Sequence, residues 1–145
     1  MDKDFDKWNE QKQLIDLKWK FKRVKNGEIW LCKIWINIWW EISKDWRFSR
    51  PVLVVSNKLW WDLVWVIPLT SIYGEFNKEY LLKLDEYEKY WLDKESYLIL
   101  NQFKIISLKR FERKLNGYYR LDKFLPLIPT NKVNYYLNKF ISIIK

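Results

Sequence analysis

Two short apolar runs set the pattern of the chain. Val52 to Val55 is a β-branched run bounded by Pro51 and Asn57, too short for a helix. Val64 to Leu69 is a second run, stopped by Pro68 and the Thr70-Ser71 pair. Both predict buried strands. Pro51 lacks an N–H and suits the first position of a strand, so Arg50 is expected just outside the sheet. If the two strands pair, Arg50 and Thr70 face one pocket, a permanent cation beside a hydroxyl.

The flanking segments follow the same reading. Asp4 to Phe21 predicts an amphipathic helix, with Phe5, Trp8, Ile15 and Trp19 near one stripe and Asp4 at its start. Gly27 to Ile36 predicts the first strand, with Lys33 toward water, and residues 37–49 a long loop. Further strands are expected over Glu79–Leu84, Ser96–Gln102, Lys104–Ile106 and Lys114–Tyr119, with Asp85–Glu95 a charged connection. Ser107 is placed to cap a single helical turn ending at Phe111. Thr130 is placed to cap a last helix, whose Val133, Tyr136, Leu137, Phe140, Ile141 and Ile144 recur at helical spacing. Many short strands and a closing helix predict a mainly β (α+β) chain. Residues 26–145 form a small barrel with a helix across it, and residues 1–25 a helical extension.

Composition narrows the chemistry. The chain has 145 residues, enough for one domain, and 49% are hydrophobic, enough for a core. Asn37 interrupts the Ile34–Trp40 stretch, which is far shorter than a membrane span. The alternating Asp and Lys at the N-terminus do not resemble a signal peptide, and one cysteine forms no internal disulfide, so a cytoplasmic location is expected. Cys32 is expected to pack as a small hydrophobe. With no His and one Cys, no His-based acid–base pair, Cys–His nucleophile or thiolate–imidazole zinc site can be assembled. Three glycines leave no phosphate-binding glycine loop, and no carboxylate cluster suggests magnesium, so no metal or cofactor is expected.

Charge adds a partner class. The net charge of +9 is uneven: +3 over residues 1–25, −2 over 26–100 and +8 over 101–145. A basic C-terminal third suits a polyanion. A genome that writes Lys wherever a surface needs charge gives the same excess, and the complete lack of Ala fits such a bias.

Arg50-Pro51-Val52-Leu53-Val54 and Pro68-Leu69-Thr70-Ser71 resemble two strands of the MazF/PemK (Kid) toxin family. Gly27-Glu28-Ile29-Trp30 is similar to the family's opening strand. Ser96 to Gln102 followed by Lys109-Arg110 is similar to its late strand and turn. The four pieces occur in the family's order, from Gly27 onward. The resemblance implies an SH3-like barrel, a homodimer, and the toxin of a type II toxin–antitoxin pair with an acidic, partly disordered antitoxin as partner. It implies a metal-independent, sequence-selective endoribonuclease acting on single-stranded RNA such as mRNA, leaving a 2′,3′-cyclic phosphate and a 5′-OH. In the loop after the first strand the family has a Gly-rich segment with a Glu-Gln pair. Here Glu41 matches the Glu, and Ile42 replaces the Gln. Trp35, Trp39 and Trp65 stand where the family has Gly. A Trp-rich barrel and UGA codons read as Gly in the source lineage are the two accounts, and the coding DNA separates them.

Cleaving RNA without metal or His requires a group to accept the 2′ proton and a cation to neutralise the crowded phosphate. Arg50 suits the second role, since a guanidinium stays charged and forks onto phosphate oxygens. Thr70 can donate to the same phosphate, with Ser71 a second hydroxyl. Glu41 is the candidate proton acceptor. The resemblance makes Gln102 a base contact, and Asn101 stands beside it where relatives often have Glu. Lys44, Arg47 and Arg110 are candidate phosphate contacts, and Trp40 or Trp46 could stack on unpaired bases. Taken singly, Arg50 is a strand-end charge, Thr70 a strand terminus and Glu41 a surface acid. Only their ordered combination with Gly27 and Gln102 raises them above that. The competing reading is a non-catalytic nucleic-acid or gyrase-binding module, of the CcdB type, on the same barrel. The altered Glu41-Ile42 loop favours it.

Overall fold

The first strand forms where the chain has just made an obligatory glycine turn. Gly27 has φ +92°, and a Cβ there would run into the carbonyl oxygen of Ile128. The computed structural model describes residues 5–17, 23–34, 49–56, 62–71, 73–85, 92 and 94–144. Helix α1 spans Phe5–Leu17. It is followed by strands β1 (Ile29–Lys33), β2 (Ser49–Val54), β3 (Leu63–Thr70), β4 (Leu81–Lys83), β5 (Tyr97–Ile99), β6 (Lys104–Ser107), β7 (Phe111–Lys114), β8 (Tyr118–Arg120) and β9 (Lys123–Leu125). Helix α2, Thr130–Ile144, ends the chain.

The chain is mainly β with a helix at each end, as expected, but the sheet is not closed. Its hydrogen-bonded path runs β4-β5-β3-β2-β1-β7, with β6 joined to β3, and β8-β9 form a separate hairpin. Alternation along the strands supplies two cores. Ile29, Leu53, Ile67 and Leu69 belong to one, completed by Val133 and Tyr136 of α2. Trp30, Cys32, Val52, Val54, Val64 and Val66 belong to the other, with Phe111 set edge-on to Trp30. Cys32 is fully buried there, as its small apolar character predicts. Trp65 stacks on Phe103 at 4.6 Å, and Phe103 on Phe140 of α2 at 4.7 Å. A tryptophan at a position where the resemblance has glycine is thus half-buried against its neighbours. Trp35 and Trp39 lie outside the described residues.

Both prolines fall where the ladder needs no donor. Val54 turns its N–H and carbonyl toward Glu28 and Gly27. Alternation therefore turns the nitrogen of Pro51 the other way, where the pairing of β2 with β3 has ended at Val52↔Pro68. This is why β2 starts before Pro51. Arg50 lies inside the sheet opposite Cys32, not outside it as expected. In β3 the carbonyl of Trp65 faces Val55, so Pro68 faces the opposite side. There β3 gives up β6 at Val66 and takes β5 at Leu69.

Other expectations are corrected in detail. Lys33 does not face water: its ammonium lies 3.3 Å from Glu112, with 18% of the side chain exposed. The Glu79–Leu84 strand is a 3-10 turn, Glu75–Tyr80, leading into β4. The Ser96–Gln102 strand stops at Ile99 and tightens into a 3-10 turn, Leu100–Gln102. Ser107 does cap the turn Leu108–Arg110, accepting from the N–H of Lys109. The Lys114–Tyr119 strand is broken between β7 and β8. Asn116 is fully buried at the break, accepting from Ile29 N–H at 2.7 Å and donating to the carbonyls of Gly27 and Pro126 at 3.1 and 3.0 Å. Thr130 is the first residue of α2, and the carbonyl of Pro129 accepts its first bonds, from Lys132 and Val133. Ile141 is exposed, and Ile143 packs on the core instead. No described helix is long and apolar enough to cross a membrane.

Candidate functional site

The two organising strands pair antiparallel, with Val52 opposite Pro68, Leu53 opposite Ile67 and Val54 opposite Val66. Arg50 is two residues before Val52, and Thr70 two residues after Pro68. The β2–β3 pairing ends at Val52 and Pro68, so both positions lie past its last partners, at one end of the two strands. Period two puts them on the face of Val52, Val54 and Val66, which belong to the second core. Both are half-buried. Past Val52 and Pro68, β2 keeps its β1 partner, with Arg50 opposite Cys32, while β3 takes β5, with Thr70 opposite Tyr97. A guanidinium and a hydroxyl thus come from adjacent strands at the place where the sheet begins to part. Ser71, the next residue, is exposed.

The turn after β5 presents the amide pair. Asn101 is exposed, while Gln102 is 9% exposed, and among the described residues neither its amide nitrogen nor its oxygen finds a hydrogen-bond partner. The turn Leu100–Gln102 packs against β3 and α2. An unsatisfied buried amide costs about 1–3 kcal/mol. Such a group is retained where a ligand's polar edge can satisfy it.

Arg110 packs toward α1 and β1. Its guanidinium lies over the Trp8 ring, 5.5 Å from the centroid, and donates to the Lys33 carbonyl at 3.4 Å. It ties α1 to the end of β1. Glu41, Lys44, Arg47, Trp40 and Trp46 lie outside the described residues.

One group bonded to Ser49, the neighbour of Arg50 in sequence, was not visible in the sequence. The pairing of β1 with β7 shifts register between Leu31 and Cys32, from Arg113 to Phe111, so Glu112 is the extra residue of a bulge. Glu112 accepts from the Ser49 hydroxyl and pairs with Lys33. The three side chains join β1, β2 and β7 at the end of the sheet that carries Arg50. Only strand register reveals this, and no local motif signals it. Among the described residues no three of His, Cys, Asp and Glu gather in a way that could hold a metal ion.

No protein-family model and no curated protein sequence matches the chain. Solved structures do. An endoribonuclease in complex with its cognate antitoxin, from a Mycobacterial species, is similar with a TM-score of 0.51 over 84% of this chain and 96% of its own, at 13% identity. An endoribonuclease from a Mycobacterial species gives 0.52 over 86% and 96%, at 14% identity. MazF from Deinococcus radiodurans gives 0.50 over 86% and 98%, at 16% identity. At these identities the likeness is one of fold: the chain has the fold of the MazF endoribonucleases.

Proposed function

We propose that the chain is the toxin of a toxin–antitoxin pair and cleaves single-stranded RNA without a metal ion, at the end of the β2–β3 pair. The observation that supports this reading is the antiparallel pairing of β2 with β3, whose last partners Val52 and Pro68 lie two residues from Arg50 and Thr70, in a fold shared with the MazF endoribonucleases. In the proposed reaction the ribose 2′-oxygen attacks phosphorus and the bond from phosphorus to the 5′-oxygen breaks. Glu41 takes the 2′ proton, and the leaving 5′-oxygen takes a proton from solvent water. Arg50 neutralises the charge that develops on the non-bridging oxygens, and Thr70 donates to one of them, with Ser71 the adjacent hydroxyl. Gln102 reads a base edge with its unsatisfied amide, and Asn101 stands at the mouth beside it. Lys44 and Arg47 hold flanking phosphates.

An acidic antitoxin that folds on binding suits the net charge of +9, and one fold neighbour is a complex with its own antitoxin. The working form in this reading is a homodimer in the cytoplasm. The test is incubation of the purified protein with a long single-stranded RNA in EDTA. Fragments ending in a 2′,3′-cyclic phosphate and beginning with a 5′-OH are expected. Intact RNA after prolonged incubation overturns the nuclease reading in favour of a non-catalytic binder.

A further inference from the structure

Tyr97 opens β5 between two partners, Thr70 of β3 on one side and Lys83 of β4 on the other. Directly paired residues of antiparallel strands share a face. Thr70, Tyr97 and Lys83 therefore form one cross-strand row, with neighbouring Cβ atoms about 4.5–5.5 Å apart. Tyr73, three residues past Thr70, lays its ring beside that of Tyr97, with centroids 5.3 Å apart and planes at 46°. Tyr97 is half-buried, and Tyr73 is 48% exposed. A strand on each side fixes Tyr97, and Tyr97 supports Tyr73. The result is a half-exposed aromatic surface one cross-strand step from Thr70.

The surroundings select the ligand. Among the described residues, the exposed groups around the pair are polar: Ser71 precedes it, and beyond Tyr97 the Lys83 ammonium is paired with the Glu95 carboxylate. That ion pair is neutral as a unit, so it favours an uncharged ligand over a phosphate. A stable protein interface covers about 800 Å² of each partner, far more than one tyrosine ring with a polar fringe. A flat, uncharged ring with polar edges needs only one ring face, and an unpaired base is such a ring. The strand that Tyr97 opens runs on into the turn of Gln102, whose amide has no hydrogen-bond partner among the described residues. One short segment thus carries an aromatic face at its start and an amide edge at its end.

We infer that Tyr73, held by Tyr97, stacks on an unpaired base of single-stranded RNA beside the phosphate bound at Thr70. The choice of RNA rests on the nuclease reading, while the choice of a planar, uncharged ring rests on the tyrosine pair and its surroundings. Stacking accepts any base, because every base has a π-face. The contact therefore adds affinity and holds the strand in place, and selectivity stays with groups that bond to base edges.

The test uses the full chain and two 2′-O-methyl strands of equal length, which attack by the 2′-oxygen cannot cleave: one of adenylates, one abasic throughout. Tyr73→Ala should weaken binding of the adenylate strand by about 5- to 150-fold, the range for one lost base–aromatic stack. It should leave binding of the abasic strand unchanged. The slope of log K against log salt should also stay as in the wild type, since no phosphate contact is lost. Tyr73→Phe, which keeps the ring, should bind as the wild type does, and Tyr73→Leu, apolar without a ring, should bind like Tyr73→Ala. Circular dichroism matches the variants for folding, and the Leu variant keeps the test valid if the Ala variant misfolds. Equal binding of the adenylate strand by the wild type and Tyr73→Ala overturns the proposal, as does equal weakening on both strands, or full binding by Tyr73→Leu. Because neither strand is cleaved, a base-dependent loss in a protein that leaves RNA intact removes the nuclease reading and keeps the stacking site. RNA cleavage by a protein whose Tyr73→Ala variant binds both strands normally does the reverse.

Discussion

Gln102 carries a side-chain amide that is nine-tenths out of water and, among the described residues, has no hydrogen-bond partner. Its place in the motif was legible in the sequence, since it follows a predicted strand in the order of the family's pieces. Its unsatisfied state was not, because that depends on β3 and α2 packing over the turn. The two facts together give a prediction. Gln102→Leu keeps most of the volume and removes an orphaned amide, so it should raise stability by about 1 kcal/mol in urea denaturation. In the proposed enzyme the same variant should lose preference among cleavage sites on a long RNA. A fall in stability would show that the amide has a partner within the fold. Arg50 illustrates the opposite limit of sequence reading. Its pairing with β1 was missed because a proline was expected to start the strand. Hydrogen-bond direction along β2 shows that Pro51 needs no donor on the side it faces.

At the scale of elements, periodic signals survived and junctions did not. The apolar runs gave β2 and β3, and the Ser107 cap gave its single turn, because each rests on neighbours in sequence. The break between β7 and β8 rests on Asn116, whose partners are 87 and 89 residues away in β1 and the turn before it. No local pattern carries such a bond. Asn116→Ala would take its partner from the Ile29 N–H and the Pro126 carbonyl, while the Gly27 carbonyl keeps the Ile128 N–H. At about 1 kcal/mol or more for each of the two, a loss of about 2 kcal/mol in denaturant unfolding is expected. A loss below about 1 kcal/mol would mean that solvent replaces the clasp. The β8–β9 hairpin shows the same limit. Its tip residues Leu121 and Asp122 adopt φ of 49° and 64°, a backbone that asparagine and glycine usually signal, and neither residue there is one. At the β4–β5 edge, by contrast, Glu95 holds the Lys83 ammonium across the strands and raises its pKa above the ordinary lysine value. Nothing in the sequence around Lys83 marks that partner.

For the molecule as a whole, fold class and the identity of the central strands were legible, because both follow from short apolar runs and one helical stripe. The open edge of the sheet, the register shift that produces the Glu112 bulge and the contact of Tyr73 with Tyr97 were not. They are products of how distant segments meet. The proposed site draws on both kinds of information: its residue types come from motifs, and its placement from the pairing of two strands. In it, a guanidinium at one strand end carries the charge of a phosphodiester in transit. The most direct measurement is the rate of cleavage of one single-stranded RNA in EDTA by the wild type and by Arg50→Ala, with both proteins matched for folding by circular dichroism. Loss of the cation should slow cleavage by about 10²–10³-fold. Equal rates for the two proteins would contradict the account.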